Sequence, residues 1–436
     1  MDQTWIALII FLITYAIVIS EKINRAIIAL VGAGLMIILG ILDIHKVFTQ
    51  YIEWNTIILL IGMMILVGIT NKTGVFQYVA VKAAKARKGN PIQILVMMSI
   101  LTAIGSAFLD NVTTVLLVVP VTLSITRILG VNPVPYLISE IIASNIGGTA
   151  TLIGDPPNIM IGSSNPHLTF NMFLLHLGPI AVIIMAVTTT LLYFIYRKQL
   201  QPNPEKQADL MKLDEKDYLR NRPLMMKSLI ILGITMLGFV LHSVIHVEAS
   251  VIALFGASLL MLIGLKTEHE VEEALDSVEW VTIFFFGGLF VLVGGLQEVG
   301  IISSLAEKIL SITNGDIGSA SLLILWVSGI ASATIDNIPF VATMIPLIKD
   351  MAASLGLDAA SSQINVLWWS LALGACLGGN GTIIGASANV IVAGMAAKEG
   401  KGFSYFEFLK IGAPITLVSI IIANVYIYFR YIIFLP

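Results

Sequence analysis

Charge is scarce in this sequence. Of 436 residues only 12% are Asp, Glu, Lys or Arg, about half the share in a soluble domain. So few charges cannot cover the surface of a water-soluble fold of this length. Cysteine is nearly absent too: Cys376 stands alone, which excludes an intrachain disulfide framework. There is no basic excess, since 24 Lys and Arg face 27 Asp and Glu, and nucleic-acid binding is excluded. No P-loop, nucleophile elbow, HExxH or clustered metal-ligand spacing occurs, so neither ATP-driven transport nor a soluble catalytic domain is expected, and no cofactor. The six His (45, 167, 176, 242, 246, 269) fall in loops or near the ends of apolar runs.

What the chain has instead is hydrophobic residues, 57% of the total, with a mean hydropathy of +0.94. Crossing a bilayer takes roughly 20 apolar residues in a helix. Runs of that kind predict spans near 3–19, 25–42, 55–70, 136–162, 173–196, 228–246, 250–265, 280–296, 363–395 and 411–433. Two further apolar pairs, 91–129 and 317–349, are each interrupted by Asp-Asn and read as re-entrant hairpins; legs that cross fully would leave the parity of crossings the same. The run from Trp5 to Ile19 follows Asp2 rather than basic residues, so it reads as a span and not a cleavable signal. Segments 71–90 and 300–312 are amphipathic and are expected along the membrane surface.

Lys and Arg are retained on the cytoplasmic side. Placing the N-terminus outside puts twenty of the 24 on that side, with only Lys46, Lys308, Lys349 and Arg430 outside. The hydrophilic stretch 197–227, with Pro202, Pro204 and mixed charges, then becomes a cytoplasmic linker between residues 1–196 and 228–436. A multi-pass protein of the plasma or inner membrane follows.

The two halves repeat one another. EWNTIILLIGMMILVG (53–68) matches EWVTIFFFGGLFVLVG (279–294) at eight of sixteen positions, offset by 226. The same offset places Asp110-Asn111 on Asp336-Asn337 and Pro120 on Pro346. An offset of 231 carries GGTATLIGDPPN (147–158) onto GGNGTIIGASAN (378–389) with six identities in twelve. Five spans separate corresponding points, and an odd number inverts the second half in the membrane. The expected fold is therefore an all-α polytopic membrane protein of two inverted-topology repeats. Each has five spans and a re-entrant hairpin, with helices broken at the midplane, 136–162 and 363–395, as in secondary transporters.

Unwound backbone at that depth survives only inside protein or around a watery cavity. Half-helix N-termini there offer unpaired N–H groups. Asn145, Asn158, Asn380 and Asn389, with Thr149, Thr151, Thr382 and Ser387, supply neutral ligands around the breaks. Asp110, Asp155 and Asp336 lie inside apolar stretches, where an ionised carboxylate costs several kcal/mol. They are the candidate proton- or cation-coupling groups; Ala386 replaces Asp155 in the second half. Asp and Asn also make good N-caps, and that role can coexist. No Lys or Arg is adjacent in sequence to either break or hairpin tip, so none is expected at the site, which argues against di- and tricarboxylate cargo. Cys376 reads as packing rather than as a ligand for a soft metalloid.

FLDNVTTVLLVVPVT, SNIGGTATLIGDPPNIMIG, TIDNIPFVATMIPL and GACLGGNGTIIGASANVIVAG resemble the melanosomal P protein and arsenite/antimonite permeases. These stand in the ArsB/NhaD permease group of the ion transporter superfamily, and the similarity spans nearly the whole chain. A more distant similarity is to divalent-anion/sodium symporters, whose hairpin tips carry Ser where this chain has Asp110 and Asp336. The resemblance implies a homodimer whose transport domains move like elevators, contacting cargo or ion through Asp110, Asn111, Thr113, Thr114, Thr149, Thr151 and Asp155. From the second half it adds Asp336, Asn337, Asn380, Thr382 and Ser387. The leading expectation is proton-coupled efflux of a small inorganic species or oxyacid, such as arsenite or antimonite. Alternatives are a Na⁺/H⁺ antiporter with Na⁺ at Asp110/Asn111 and Asp336/Asn337, a Na⁺-coupled carboxylate or anion symporter, and an uncoupled anion channel.

Overall fold

The structure, a computed structural model, describes residues 3–20 and 22–435. Helices and their connections make up all of them, with no strand among the described residues. The first half runs α1 (Gln3–Ser20), α2 (Arg25–Ile38), α3 (Trp54–Lys72), α4 (Val75–Ala86), α5 (Pro91–Leu109), α6 (Asn111–Leu129), α7 (Val134–Thr149), α8 (Pro156–Ser164) and α9 (Phe170–Tyr196). In the second half follow α10 (Arg222–Ile245), α11 (Ala249–Gly264), α12 (Trp280–Glu298), α13 (Ile301–Ile312), α14 (Ile317–Thr334), α15 (Asn337–Ser354), α16 (Ser362–Gly378), α17 (Ser387–Lys398) and α18 (Tyr405–Arg430). Each helix of the first half thus has its counterpart nine labels later.

Local chemistry sets the boundaries. Asn90 accepts from the Gln93 N–H and Pro91 opens α5, where its missing donor costs nothing. Gly130 ends α6 in the left-handed region. Ser404 and Glu407 form a reciprocal capping box at the start of α18. Among the described residues nine helices are long and apolar enough to cross a membrane, α5, α6 and α14 of the two hairpins included. Side chains such as Ile13, Val182, Ile230 and Phe429 stay exposed along their outer faces, as a lipid solvent allows.

The halves are not packed as separate lobes. Helix α3 lies chiefly against α11 and α10, while its counterpart α12 lies chiefly against α2. The crossing is close: a Cβ added at Gly62 of α3 would sit 2.7 Å from the Ala253 backbone, and one at Gly288 of α12 2.7 Å from that of Ala29. These glycines are repeat-equivalent, so the exchange obeys a pseudo-twofold relation. The same relation pairs α5 with α7 and α14 with α16. It also places α8 against α15 and α17 against α6, so each broken helix reaches the other half's hairpin.

The linker folds back on the first half. Lys85 of α4 donates to the Leu213 carbonyl and the Glu215 carboxylate, both at 2.6 Å. That bond holds the Glu215 carboxyl below its usual range.

Candidate substrate and ion site

Both broken helices are built alike. Gly147 and Gly378, at the ends of α7 and α16, lie on the hairpin helices α5 and α14. A Cβ there would stand 2.1 Å from the Ala103 carbonyl and 2.5 Å from that of Gly329, so only glycine fits. Ser106 donates to the Ser144 carbonyl and Ser332 to that of Ala375, both at 2.6 Å. Across each break Thr151 donates to the Ala107 carbonyl and Thr382 to that of Ala333 at 2.6 Å. The Asn158 amide spans the first break, donating to the carbonyls of Gly148, Thr149 and Thr151 at 2.9–3.3 Å. Asn389 does the same for Gly379 and Thr382 at 2.7 and 2.9 Å. The Thr151 and Thr382 hydroxyls and both break-spanning amides are therefore spent on holding the breaks open.

The remaining polar residues form three groups. In the first, Asn111 donates to Asn145 at 3.0 Å, and Asn145 donates to Asn380 at 2.9 Å and Asn389 at 3.0 Å. This buried amide network joins the first hairpin tip to the second break. In the second, Asn337 donates to Asp155 Oδ1 at 3.5 Å and the Cys376 thiol meets Asn158 Oδ1 at 3.5 Å. Cys376 occupies the repeat position of Asn145. Asp155 is fully buried and its Oδ2 has no partner.

The third group corrects an expectation. A cation does reach the site: Arg25, at the start of α2, donates to Asp336 Oδ2 at 2.8 Å and to Ser387 Oγ at 2.6 Å. Ser387 in turn donates to Asp336 at 2.8 Å. The guanidinium stacks 4.9 Å from the centre of the Phe285 ring. These groups stand on the wall of a cavity of about 330 Å³, with Asn24 and apolar residues such as Ile384 and Val390. Ser387 opens α17, whose N-terminus has no side-chain cap. The sequence hides Arg25 because it lies far along the chain from Asp336. Its one signal is asymmetry, since Val251 takes its place in the second half.

Asp110 differs from Asp336. Thr113 donates to it through both its N–H, at 2.8 Å, and its hydroxyl, at 2.6 Å, and Thr114 donates to the Asp110 carbonyl at 2.6 Å. Its φ of 77° and ψ of 158° lie in a region that only glycine favours. Among the described residues no Lys or Arg is within ion-pair distance of it. Thr149 spends its hydroxyl on the Asn145 carbonyl at 2.7 Å.

A further acid was open to a reading of the sequence. Glu140 stands in the apolar run of α7, fully buried, with Leu371 at its repeat position. Thr122 of α6 donates to its Oε1.

Comparison with known proteins places the chain in a family. An uncharacterized transporter of Mycobacterium tuberculosis is 42% identical over 99% of both chains. The P protein of Homo sapiens is 33% identical over 98% of this chain, which spans 60% of that protein. Two solved structures share the fold over almost the whole chain: the YdaH transporter of Alcanivorax borkumensis (TM-score 0.59, 13% identity, 98% of each chain) and MtrF of Neisseria gonorrhoeae (TM-score 0.59, 12% identity, 99% and 95%), described as illuminating a class of antimetabolite efflux pumps. The citrate transporter family model matches residues 15–374. A helical membrane protein with relatives of this kind along its full length belongs to the citrate transporter family of secondary transporters.

Proposed function

We propose that the protein couples the movement of a small carboxylate or oxyanion to protons. The observation that carries this reading is Arg25, bound to both Asp336 and Ser387 on the wall of a cavity of about 330 Å³. In this structure the Asp336 carboxylate pairs with the guanidinium. An incoming anion takes the same two donors only as Asp336 gives them up, and an unpaired carboxylate there is costly. Protonation of Asp336 removes that cost, so anion and proton bind together. The Ser387 hydroxyl and the uncapped first turn of α17 add donors suited to an anion. The absence of a basic group, which had argued against carboxylates, no longer does so.

Asp155 is the natural second proton carrier, with one oxygen unpartnered between the two halves. Asp110, self-capped at the first tip, belongs to that hairpin's backbone. The family resemblance supports an elevator motion of the hairpins and broken helices, in a homodimer.

A second reading, efflux of a neutral metalloid hydroxide, is favoured by the uncharged cradle of Asn145, Asn380 and Asn389. Proteoliposomes loaded with a pH dye separate the two. A proton gradient should drive uptake of a labelled small carboxylate, with protons entering alongside, and Asp336→Asn should bind that carboxylate without pH dependence. Uptake indifferent to the proton gradient, or driven only by Na⁺, would overturn proton coupling; proton-driven arsenite flux with no carboxylate flux would select the second reading.

A further inference from the structure

The proton-coupled reading leaves one buried acid unused, Glu140. Its Oε1 accepts from the Thr122 hydroxyl and its Oε2 has no partner. It lies nine positions before the end of α7, roughly 13 Å along the helix at 1.5 Å per residue. That is part-way from the linker side of the molecule to the broken helices. Thr126, one turn from Thr122 on α6, lines a cavity of about 450 Å³ at the linker end, whose wall carries the Arg127–Glu399 pair at 2.6 Å.

No structural duty accounts for the acid. Leu371 fills the equivalent place in the second half, so packing does not demand a carboxyl group. A buried carboxylate with one idle oxygen costs several kcal/mol, and a proton on that oxygen removes the cost. The surroundings offer no other relief. Helix α5 has no titratable side chain, α6 has Arg127, α16 has Cys376 and α17 has Lys398. His176, Tyr193 and Tyr196 stand on α9, with Tyr405, Glu407, Lys410, Tyr426, Tyr428 and Arg430 on α18. Apart from Thr122, no side chain is recorded in a hydrogen bond or ion pair with Glu140 among the described residues. Tyr136, one turn back, gives its hydroxyl to the Pro91 carbonyl at 2.8 Å.

We propose that Glu140 is a proton-binding station on the linker side, loaded through the Thr122 hydroxyl by protons entering from the cavity that Thr126 lines one helical turn away. Thr122 passes its hydroxyl proton to the carboxylate and takes another from a hydronium ion that enters from that cavity and is left as water, so the threonine is unchanged and the acid becomes neutral. Glu140 then holds the proton between the linker face and the ion site.

The proposal rests on the proton-coupled function, but its test does not. Purified full-length protein is taken from alkaline to acid buffer and read by infrared difference spectroscopy. The spectrum should contain a protonated-carboxyl C=O band that Glu140→Gln removes and Asp155→Asn and Asp336→Asn retain. Thr122→Val should shift that band, because its hydrogen bond is lost. Spectra of folded Glu140→Gln identical to the parent's would overturn the station. In proteoliposomes, Glu140→Gln should slow gradient-driven uptake about tenfold (about 1.4 kcal/mol) while equilibrium exchange at equal pH stays unchanged; equal slowing of both would also overturn it. Glu140→Asp should recover part of the driven rate. A parent protein whose uptake ignores protons would refute the function while the infrared band still decides Glu140.

Discussion

The two hairpin tips carry the same dipeptide and have opposite fates. Asp336 rests in relaxed backbone, with φ −48° and ψ 133°, and is paired with Arg25 from a distant helix. Asp110 stands in a conformation costing ~1–3 kcal/mol and turns its carboxylate onto its own helix start. Behind them the pattern reverses: Asn145 makes three amide bonds where Cys376 makes one weak contact, and Asp155, with one oxygen unpartnered, lies beside the thiol. A duplicated frame has kept its glycines and break-spanning asparagines, which hold the shape. It has diverged in the charge and hydrogen bonding around the breaks and hairpin tips. The first half supplies the cation Arg25 and the half-satisfied acid Asp155; the second supplies Asp336 and Ser387, which receive the cation, and the two share the neutral knot.

The largest effect should come from erasing the knot. Asn145→Cys makes the first half copy the second and leaves buried amides of Asn111, Asn380 and Asn389 short of partners. At ~1 kcal/mol or more per bond, a loss of about 3 kcal/mol should appear as a clearly lower melting temperature in detergent. An unchanged melting curve would mean the network is incidental.

Removing the cation comes next. Arg25→Gln leaves Asp336 without its ion partner and should cost ~1–3 kcal/mol, discounted from the value for a dry pair because both side chains retain some exposure. Anion transport should fall more than tenfold. The double variant with Asp336→Asn should regain most of the stability but none of the transport. Additive stability losses would show that the pair is not coupled.

The smallest change should follow Cys376→Ala. Asn158 keeps all three backbone acceptors, so the cost should stay below ~1 kcal/mol. The fully buried thiol should also resist labelling by a soluble maleimide until the protein is unfolded. Rapid labelling in the native state would mean the site opens to water.

How much of this was written in the sequence depends on distance along the chain. Helices, hairpins and the duplicated motifs are legible because Gly-Gly, Pro-Pro and Asp-Asn stand out within apolar runs. The role of Asn158 and Asn389 is nearly legible, since both occupy the same place in a repeated motif. Arg25 is not, for it acts across hundreds of residues and has no repeat partner to call attention to it. Glu140 is an intermediate case: an acid in an apolar run is visible, but only Thr122 and the idle oxygen give it meaning. The strain at Asp110 cannot be read at all from a dipeptide that adopts an ordinary conformation at Asp336.

The crossed packing of α3 on α11 and α2 on α12 bears on how the protein is made. Synthesis delivers α2 and α3 to the bilayer well before their partners exist. Gly62 then presents a bare groove to lipid until residues 249–264 emerge beyond the linker. Assembly of the first half must therefore wait for the second. A chain arrested at the linker is an orphan for membrane quality control, whereas two separately expressed halves can complement one another only if they meet in the same membrane before either is degraded.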